Sequence, residues 1–100
     1  VLRVGDLMLD LGSRTAERGG ASLDLTPTEF KVLAAMMRAP GQALSRERLL
    51  EAAQGVAFEA YERTIDVHIK NLRQKIEAEA EMPDPIKTVR GVGYRIEDVT

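Results

Sequence analysis

The stretch "RTIDVHIKNLRQKI", residues 63–76, decides how the fold of this chain is interpreted. On a helical wheel of about 100° per residue, its large aliphatic side chains fall within about 60° of one another. These side chains are Ile65, Ile69, Leu72 and Ile76. The opposite side carries cations, amides and a valine, and Asp66 is the only acid in the stretch. The pattern predicts a helix from about Glu62 to about Glu79, with one buried stripe and one positive polar face.

A second group of cations follows in "KTVRGVGYR", residues 87–95, which contains no acid. The whole chain is slightly acidic, with 14 Lys and Arg against 16 Asp and Glu and a formal net charge of −2. The electric field at a surface depends on how charge is distributed rather than on its sum. We therefore interpret the two local groups of cations as a better guide to a binding partner than the net charge.

Length and composition limit the classes of protein that this chain can represent. One hundred residues with 44% apolar and 30% charged content predict a single globular domain, residues 1–100. The absence of cysteine excludes disulfides and thiol catalysis, and a single histidine leaves a structural zinc site without its usual ligands. No apolar run reaches the roughly 18 residues of a membrane helix, and no signal peptide opens the chain. We expect a cytoplasmic protein without a membrane partner, a metal or another cofactor.

The N-terminal part, residues 1–25, has the alternation of an antiparallel sheet of three or four strands. Leu7, Leu9 and Leu11 are expected to face one side of a strand. Gly19 and Gly20 separate two short runs, which is a hairpin signal. A small sheet is therefore expected to precede the helices.

Three helices are predicted within residues 26–80. Thr26 is a good N-cap, Pro27 suits the first helical position, and Glu29 completes a capping box. Ser45 is the N-cap of a second helix, and a loop over residues 55–62 leads to the third. Residues 85–98 then contain two short extended runs around glycines, which predicts a β-hairpin. The expected fold class is α+β, with a sheet, three helices and a terminal hairpin.

The polar face of the third helix suits duplex DNA. Lys and Arg neutralise phosphate or reach guanine, Asn and Gln bond the adenine edge, and an exposed valine packs on a thymine methyl group. A narrow hairpin tip with Arg90 suits a minor groove. Each feature also has a simpler interpretation, since a positive helix face is usually just solvated and a glycine-rich hairpin is usually just a turn. Asp66 is best explained as an intrahelical partner of Lys70 or Arg63.

Three segments together resemble the effector domain of OmpR/PhoB-type response regulators: "LTPTEFKVLAAMMRAPGQALSRERLL", "RTIDVHIKNLRQKI" and "IKTVRGVGYRI". The resemblance covers essentially the whole chain. It implies a winged helix-turn-helix fold with an N-terminal four-stranded sheet, in which the terminal hairpin is the wing. It also implies a sequence-specific, double-stranded DNA-binding domain that controls transcription in a two-component system. A receiver domain elsewhere in the full-length protein, and binding to direct repeats, are implied partners.

The resemblance also implies roles for individual residues. Matches to phosphate-contacting positions are Arg63, Thr64, His68 and Arg73. Matches to positions that face bases or the adjoining backbone are Val67, Lys70 and Asn71, and Gln74 lies on the same face of the wheel. In the wing, Thr88 corresponds to a phosphate contact and Arg90 to an arginine that enters the minor groove. Tyr94 matches a tyrosine that either contacts the DNA backbone or packs beneath the wing, and packing is the favoured interpretation.

The chain departs from the family pattern at three places. Gln54 stands where many relatives carry tryptophan, and Asn71 often corresponds to arginine, so base preference cannot be transferred from a relative. The loop 55–62 shares only its length with loops that contact RNA polymerase. A winged helix used as a protein-interaction module is the main alternative function. An enzyme is disfavoured because no glycine-framed nucleophile accompanies the lone His68.

Overall fold

The computed structural model describes residues 1–53, 62–77 and 84–97, without the side chains of residues 62–64. The N-terminal strands are β1 (Leu2–Val4), β2 (Leu7–Asp10), β3 (Thr15–Arg18) and β4 (Ala21–Leu23). The helices and later strands are α1 (Pro27–Met37), β5 (Leu44–Ser45), α2 (Arg46–Ala52), α3 (Glu62–Ile76), β6 (Ile86–Val89) and β7 (Gly93–Ile96). This order confirms the predicted α+β architecture.

The first four strands form an antiparallel sheet in the order β1-β2-β3-β4. Gly19 and Gly20 both have positive φ, 58° and 85°, so the predicted hairpin turn needs their conformational freedom. Leu7 and Leu9 are buried as predicted, but β2 ends at Asp10, and Leu11 is 36% exposed. The alternation stops there because the Asp10 carboxylate accepts hydrogen bonds from the backbone amides of residues 12 and 13, which turns the chain.

Helix α1 begins with the predicted capping box. The Thr26 hydroxyl accepts from the Glu29 amide at 3.1 Å, and the Glu29 carboxylate accepts from the Thr26 amide at 3.0 Å. Leu33, Ala34 and Met37 are buried on one face of the helix, while Phe30 packs on the core from its edge. Sequence-local rules therefore suffice for this helix.

Helix α3 carries the predicted buried stripe, since Ile65, Ile69, Leu72 and Ile76 are each at most 1% exposed. The helix ends at Ile76 rather than near Glu79, which lies outside the described residues. The Ile76 carbonyl is one of the terminal acceptors that lack a helical partner, and the Arg18 guanidinium donates to it at 3.0 Å. A side chain from β3 thus satisfies the end of α3, which no local pattern in the sequence indicates.

The terminal hairpin is part of a larger sheet than the sequence predicts. β6 and β7 pair as expected, and the two-residue strand β5 pairs with the other edge of β7, giving the order β5-β7-β6. β5 is too short to produce an alternating signal. Its presence anchors the hairpin to the chain just before α2.

One core joins these layers. It contains the inner faces of β2 and β3, the three helices, and Ile86, Tyr94 and Ile96 from the hairpin. Among the described residues, no helix has the length and apolar character needed to cross a bilayer.

Candidate nucleic-acid interface

The outer face of α3 displays the mixture of side chains that the sequence predicts. Val67 is 56% exposed, and Lys70 and Gln74 are exposed beside it. His68 and Asn71 are half-buried along the margin of this face. Arg63 and Thr64 lie in the first turn of α3, but their side chains are outside the described part of the structure, so their roles stay predictions.

The wing ends in an exposed, positive tip. The Val92 amide donates to the Val89 carbonyl at 3.0 Å and closes the turn, with Arg90 and Gly91 between them. Gly91 has a φ of 76°, a conformation that glycine adopts without strain. Arg90 is exposed, and Val92 is 44% exposed next to it. The tip therefore projects a cation and a small apolar side chain away from the core.

Arg73 does not lie on the open surface as its predicted phosphate role suggests. Its Nη2 donates to the Ile86 carbonyl at 3.0 Å and to the Thr88 hydroxyl at 2.9 Å. Its Nε lies 3.2 Å from Asp84 Oδ2, which is an ion-pair distance, although the N–H is not aligned for a hydrogen bond. The Arg73 side chain is 28% exposed. Arg73 therefore joins α3 to β6, and this role was not foreseen.

Asp66 has partners outside its own helix. Its Oδ1 accepts from Arg46 Nε at 2.7 Å and from the Tyr94 hydroxyl at 2.5 Å. The predicted pairing with Lys70 is therefore wrong, because the carboxylate faces α2 and β7. The pairing with Arg63 lies outside the described side chains. The sequence offers no signal for this contact, since the three residues meet only in the folded chain.

The same cluster explains Tyr94, which is 5% exposed and packs beneath the wing as predicted. The guanidinium carbons of Arg46 and Arg73 lie 5.3 and 5.6 Å from its ring centroid, within cation–π range. The hydrogen bond from Tyr94, aided by Arg46, lowers the pKa of Asp66. Burial, followed by the hydrogen bond to Asp66, raises the pKa of Tyr94. The Asp66 carboxylate is thus held ionised by Arg46 and the Tyr94 hydroxyl.

Lys75 is also used inside the domain. Its Nζ lies 2.6 Å from the Glu29 carboxylate, which is buried at the start of α1. The cations of residues 63–76 therefore serve two purposes: Lys70 is exposed, whereas Arg73 and Lys75 are paired within the domain. The charge count from sequence alone overstates the positive charge available to a partner.

Comparison with known proteins places this geometry in a family. The family described as "Transcriptional regulatory protein, C terminal" matches residues 20–96. The DNA-binding response regulator MtrA of Mycolicibacterium smegmatis is 40% identical over 95 residues, covering 95% of this chain and 42% of that protein. The phosphate regulon regulator PhoB of Rhizobium meliloti is 41% identical over 97 residues, covering 97% of this chain and 42% of that protein. The chain thus spans about two fifths of these relatives.

Solved structures of similar domains include complexes with DNA. The DNA-binding domain of the response regulator AdeR, solved with an intercistronic region, has a TM-score of 0.83 and 28% identity, covering 98% of this chain and 99% of that one. The Klebsiella pneumoniae RstA DNA-binding domain, solved with the RstA box, has a TM-score of 0.80 and 33% identity, covering 97% and 96%. The chain therefore belongs to the family of transcriptional regulatory protein C-terminal domains, and its fold is that of the OmpR/PhoB-type DNA-binding domains.

Proposed function

We propose that this domain binds specific sequences of double-stranded DNA and controls transcription as the effector part of a two-component response regulator. α3 occupies the major groove, and the wing reaches the neighbouring minor groove. The observation that carries the proposal is the outer face of α3, where Val67 and Lys70 are exposed while Asp66 is paired with Arg46. Because Arg46 compensates the charge of Asp66, the centre of this face presents little negative charge to a polyanion.

The side chains divide into two groups by their chemistry. Val67, Lys70, Asn71 and Gln74 are assigned to base edges in the major groove, where cations, amides and small apolar groups each have a partner. Phosphate contacts are assigned to Arg63, Thr64, His68 and Thr88. These contacts set the position of the domain on the duplex without reading its sequence.

Arg90 is assigned to the minor groove. Its position at the wing tip, beside Gly91, allows the backbone to approach the sugar–phosphate wall closely. A narrow A·T-rich minor groove concentrates negative potential, which attracts an arginine without a base-specific hydrogen bond. The wing therefore adds a preference for the sequence flanking the bases that α3 contacts.

Further partners of the domain are proposed as well. Because the chain spans about two fifths of them, a receiver domain in the same full-length protein is the proposed regulator of DNA binding. Binding as tandem copies to direct repeats is proposed as well. A contact of RNA polymerase with residues 55–62 stays a prediction, since residues 55–61 lie outside the described ones. The proposed function places the domain in the cytoplasm, where bacterial DNA lies.

Selection of bound duplexes from a random pool, followed by titration of the selected duplex, tests the proposal. We expect a recurring motif, and affinity for the selected duplex that exceeds affinity for a scrambled one by on the order of 10³-fold. Absence of any enriched motif, together with no duplex binding at low salt, would refute it. Protection of α3 by a protein partner instead would favour the protein-interaction module. No catalytic role is part of the proposal.

A further inference from the structure

We infer that Arg73 is a positioning residue that holds the wing at a fixed distance from α3 and orients the Thr88 hydroxyl towards DNA. The inference rests on the proposed function and replaces the direct phosphate contact expected for Arg73. Each of its described polar contacts is with the segment that enters or forms β6. They are Asp84 before the strand, the Ile86 carbonyl within it, and the Thr88 hydroxyl near its end.

These contacts make a planar clamp across the two elements that meet the duplex. Both hydrogens of Nη2 have acceptors on β6, and Nε lies at ion-pair distance from Asp84 without a hydrogen bond to it. The guanidinium also lies over the Tyr94 ring of β7, so both strands of the wing are held by one side chain. A rigid fork of this kind is a property of arginine that lysine cannot reproduce. The offset between α3 and the wing then depends on Arg73.

The contact with Thr88 also defines the chemistry of that hydroxyl. The guanidinium only donates, so Thr88 Oγ1 accepts from Nη2 at 2.9 Å. The single hydroxyl hydrogen of Thr88, which is exposed, is therefore left to donate outward. Phosphate oxygens are pure acceptors and match this donor. Arg73 thus prepares a neighbouring residue for the phosphate contact instead of making it.

Two substitutions distinguish an Arg73 that positions the wing from an Arg73 that contacts phosphate directly. Arg73→Lys keeps the positive charge but loses the fork. Asp84→Asn keeps the Oδ1 acceptor for the Ile86 amide, which it bonds at 2.9 Å, but removes the ion pair and leaves the positive charge of Arg73 without this partner. A phosphate-binding Arg73 would gain or keep affinity in Asp84→Asn. A positioning Arg73 would hold the wing less firmly in both variants, because each variant loses at least one of its contacts.

The test is a double-mutant cycle with Arg90→Ala, measured by titration of the 100-residue chain. The two probe duplexes are the one that the unmodified chain selects from a random pool and a copy with its A·T flank changed to G·C. We expect Arg90→Ala to weaken binding to the A·T-flanked duplex by on the order of tenfold, and by less than about twofold when Arg73→Lys is already present. We also expect Asp84→Asn to reduce the preference for the A·T flank. Arg3→Lys, a similar exchange in strand β1, is the control and should change neither quantity.

Several results would overturn the inference while leaving the proposed function intact. Additive effects of Arg73→Lys and Arg90→Ala would do so, as would higher affinity with an unchanged flank preference in Asp84→Asn. Thermal unfolding of each variant shows whether the domain is folded, and Asp84→Asn decides the matter if Arg73→Lys is not. If the unmodified chain selects no duplex at all, the proposed function fails and the inference falls with it.

Discussion

Asn71 shows what a single residue of the outer face is expected to contribute. It is half-buried on α3 next to exposed Lys70, and a side-chain amide can bond the edge of an adenine. Asn71→Ala removes a contact whose loss costs about 1–3 kcal/mol of discrimination at one or two base pairs. Repeating the selection from a random pool with this variant measures the effect. Thr64→Ala, a predicted phosphate contact, is the comparison and should weaken all sequences alike, whereas an unchanged motif for Asn71→Ala would contradict its role.

Asp66 is expected to make the stability of the domain depend on pH. The hydrogen bond from Tyr94, followed by Arg46, places the folded-state pKa of Asp66 below its unfolded value of about 3.9. A lowered pKa adds stability that is present above the unfolded value and is lost as pH falls through the folded value. The free energy of unfolding should therefore differ between the unmodified chain and Asp66→Asn by a constant amount from about pH 5 to 7, and the difference should shrink below about pH 4.

Denaturant unfolding at a series of pH values measures this difference. Tyr94→Phe is the matched control, because it deletes the hydrogen bond that contributes most to the lowered pKa while keeping the ring that Arg46 and Arg73 contact. In that background the pH dependence assigned to Asp66 should be weaker. A difference between the unmodified chain and Asp66→Asn that stays constant down to pH 2 would contradict the assignment.

Features of helices and strands that depend on neighbouring residues were predicted from the sequence. Features that depend on long-range contacts were not. The capping box of Thr26 and Glu29 and the buried stripe of α3 are set within a few neighbouring positions, so periodicity and caps predicted them. The strand β5 and the partners of Arg73 depend on chain segments far apart in sequence. The roles of the outer-face residues were predicted by resemblance and chemistry, and they await binding measurements.

Gly91 and Gly93 of "GVG" are constrained in different ways, so their substitutions are expected to cost different amounts of stability. A Cβ on Gly93 would lie 2.1 Å from the Leu44 carbonyl oxygen, a backbone atom of β5 that cannot move without separating β5 from β7. A Cβ on Gly91 would meet nothing within 4 Å, and its constraint is the positive φ of 76°. Gly93→Ala should therefore cost about 1–3 kcal/mol or more, and Gly91→Ala about 1–2 kcal/mol. Urea unfolding of both variants checks the order, and a Gly91 variant less stable than the Gly93 variant would contradict it.

Charged side chains connect α3 to the N-terminal sheet, to α1, to α2 and to the segment that leads into the wing. Arg18 of β3 bonds the carbonyl at its end, Lys75 pairs with Glu29 of α1, Asp66 with Arg46 of α2, and Arg73 with Asp84 at the wing. Arg18 is 2% exposed and pairs with Asp6, so this attachment is made in the interior. These contacts pair part of the positive charge of residues 63–76 within the domain, so this part is not available to DNA. A count of cations in the sequence therefore gives an upper limit for the electrostatic contribution to binding.

This limit leads to a prediction for salt dependence. With Arg73 and Lys75 paired internally, the cations assigned to the interface are Arg63, Lys70 and Arg90, so the logarithm of the binding constant should fall against the logarithm of salt concentration with a slope of about −2 to −3. Lys70→Gln removes an exposed cation of α3 and should make the slope shallower by up to about 0.9. Arg3→Gln changes the net charge equally but lies in β1 of the N-terminal sheet, and it should leave the slope unchanged. Equal shifts for the two variants would mean that the net charge of the chain, rather than the face of α3, governs the attraction to DNA.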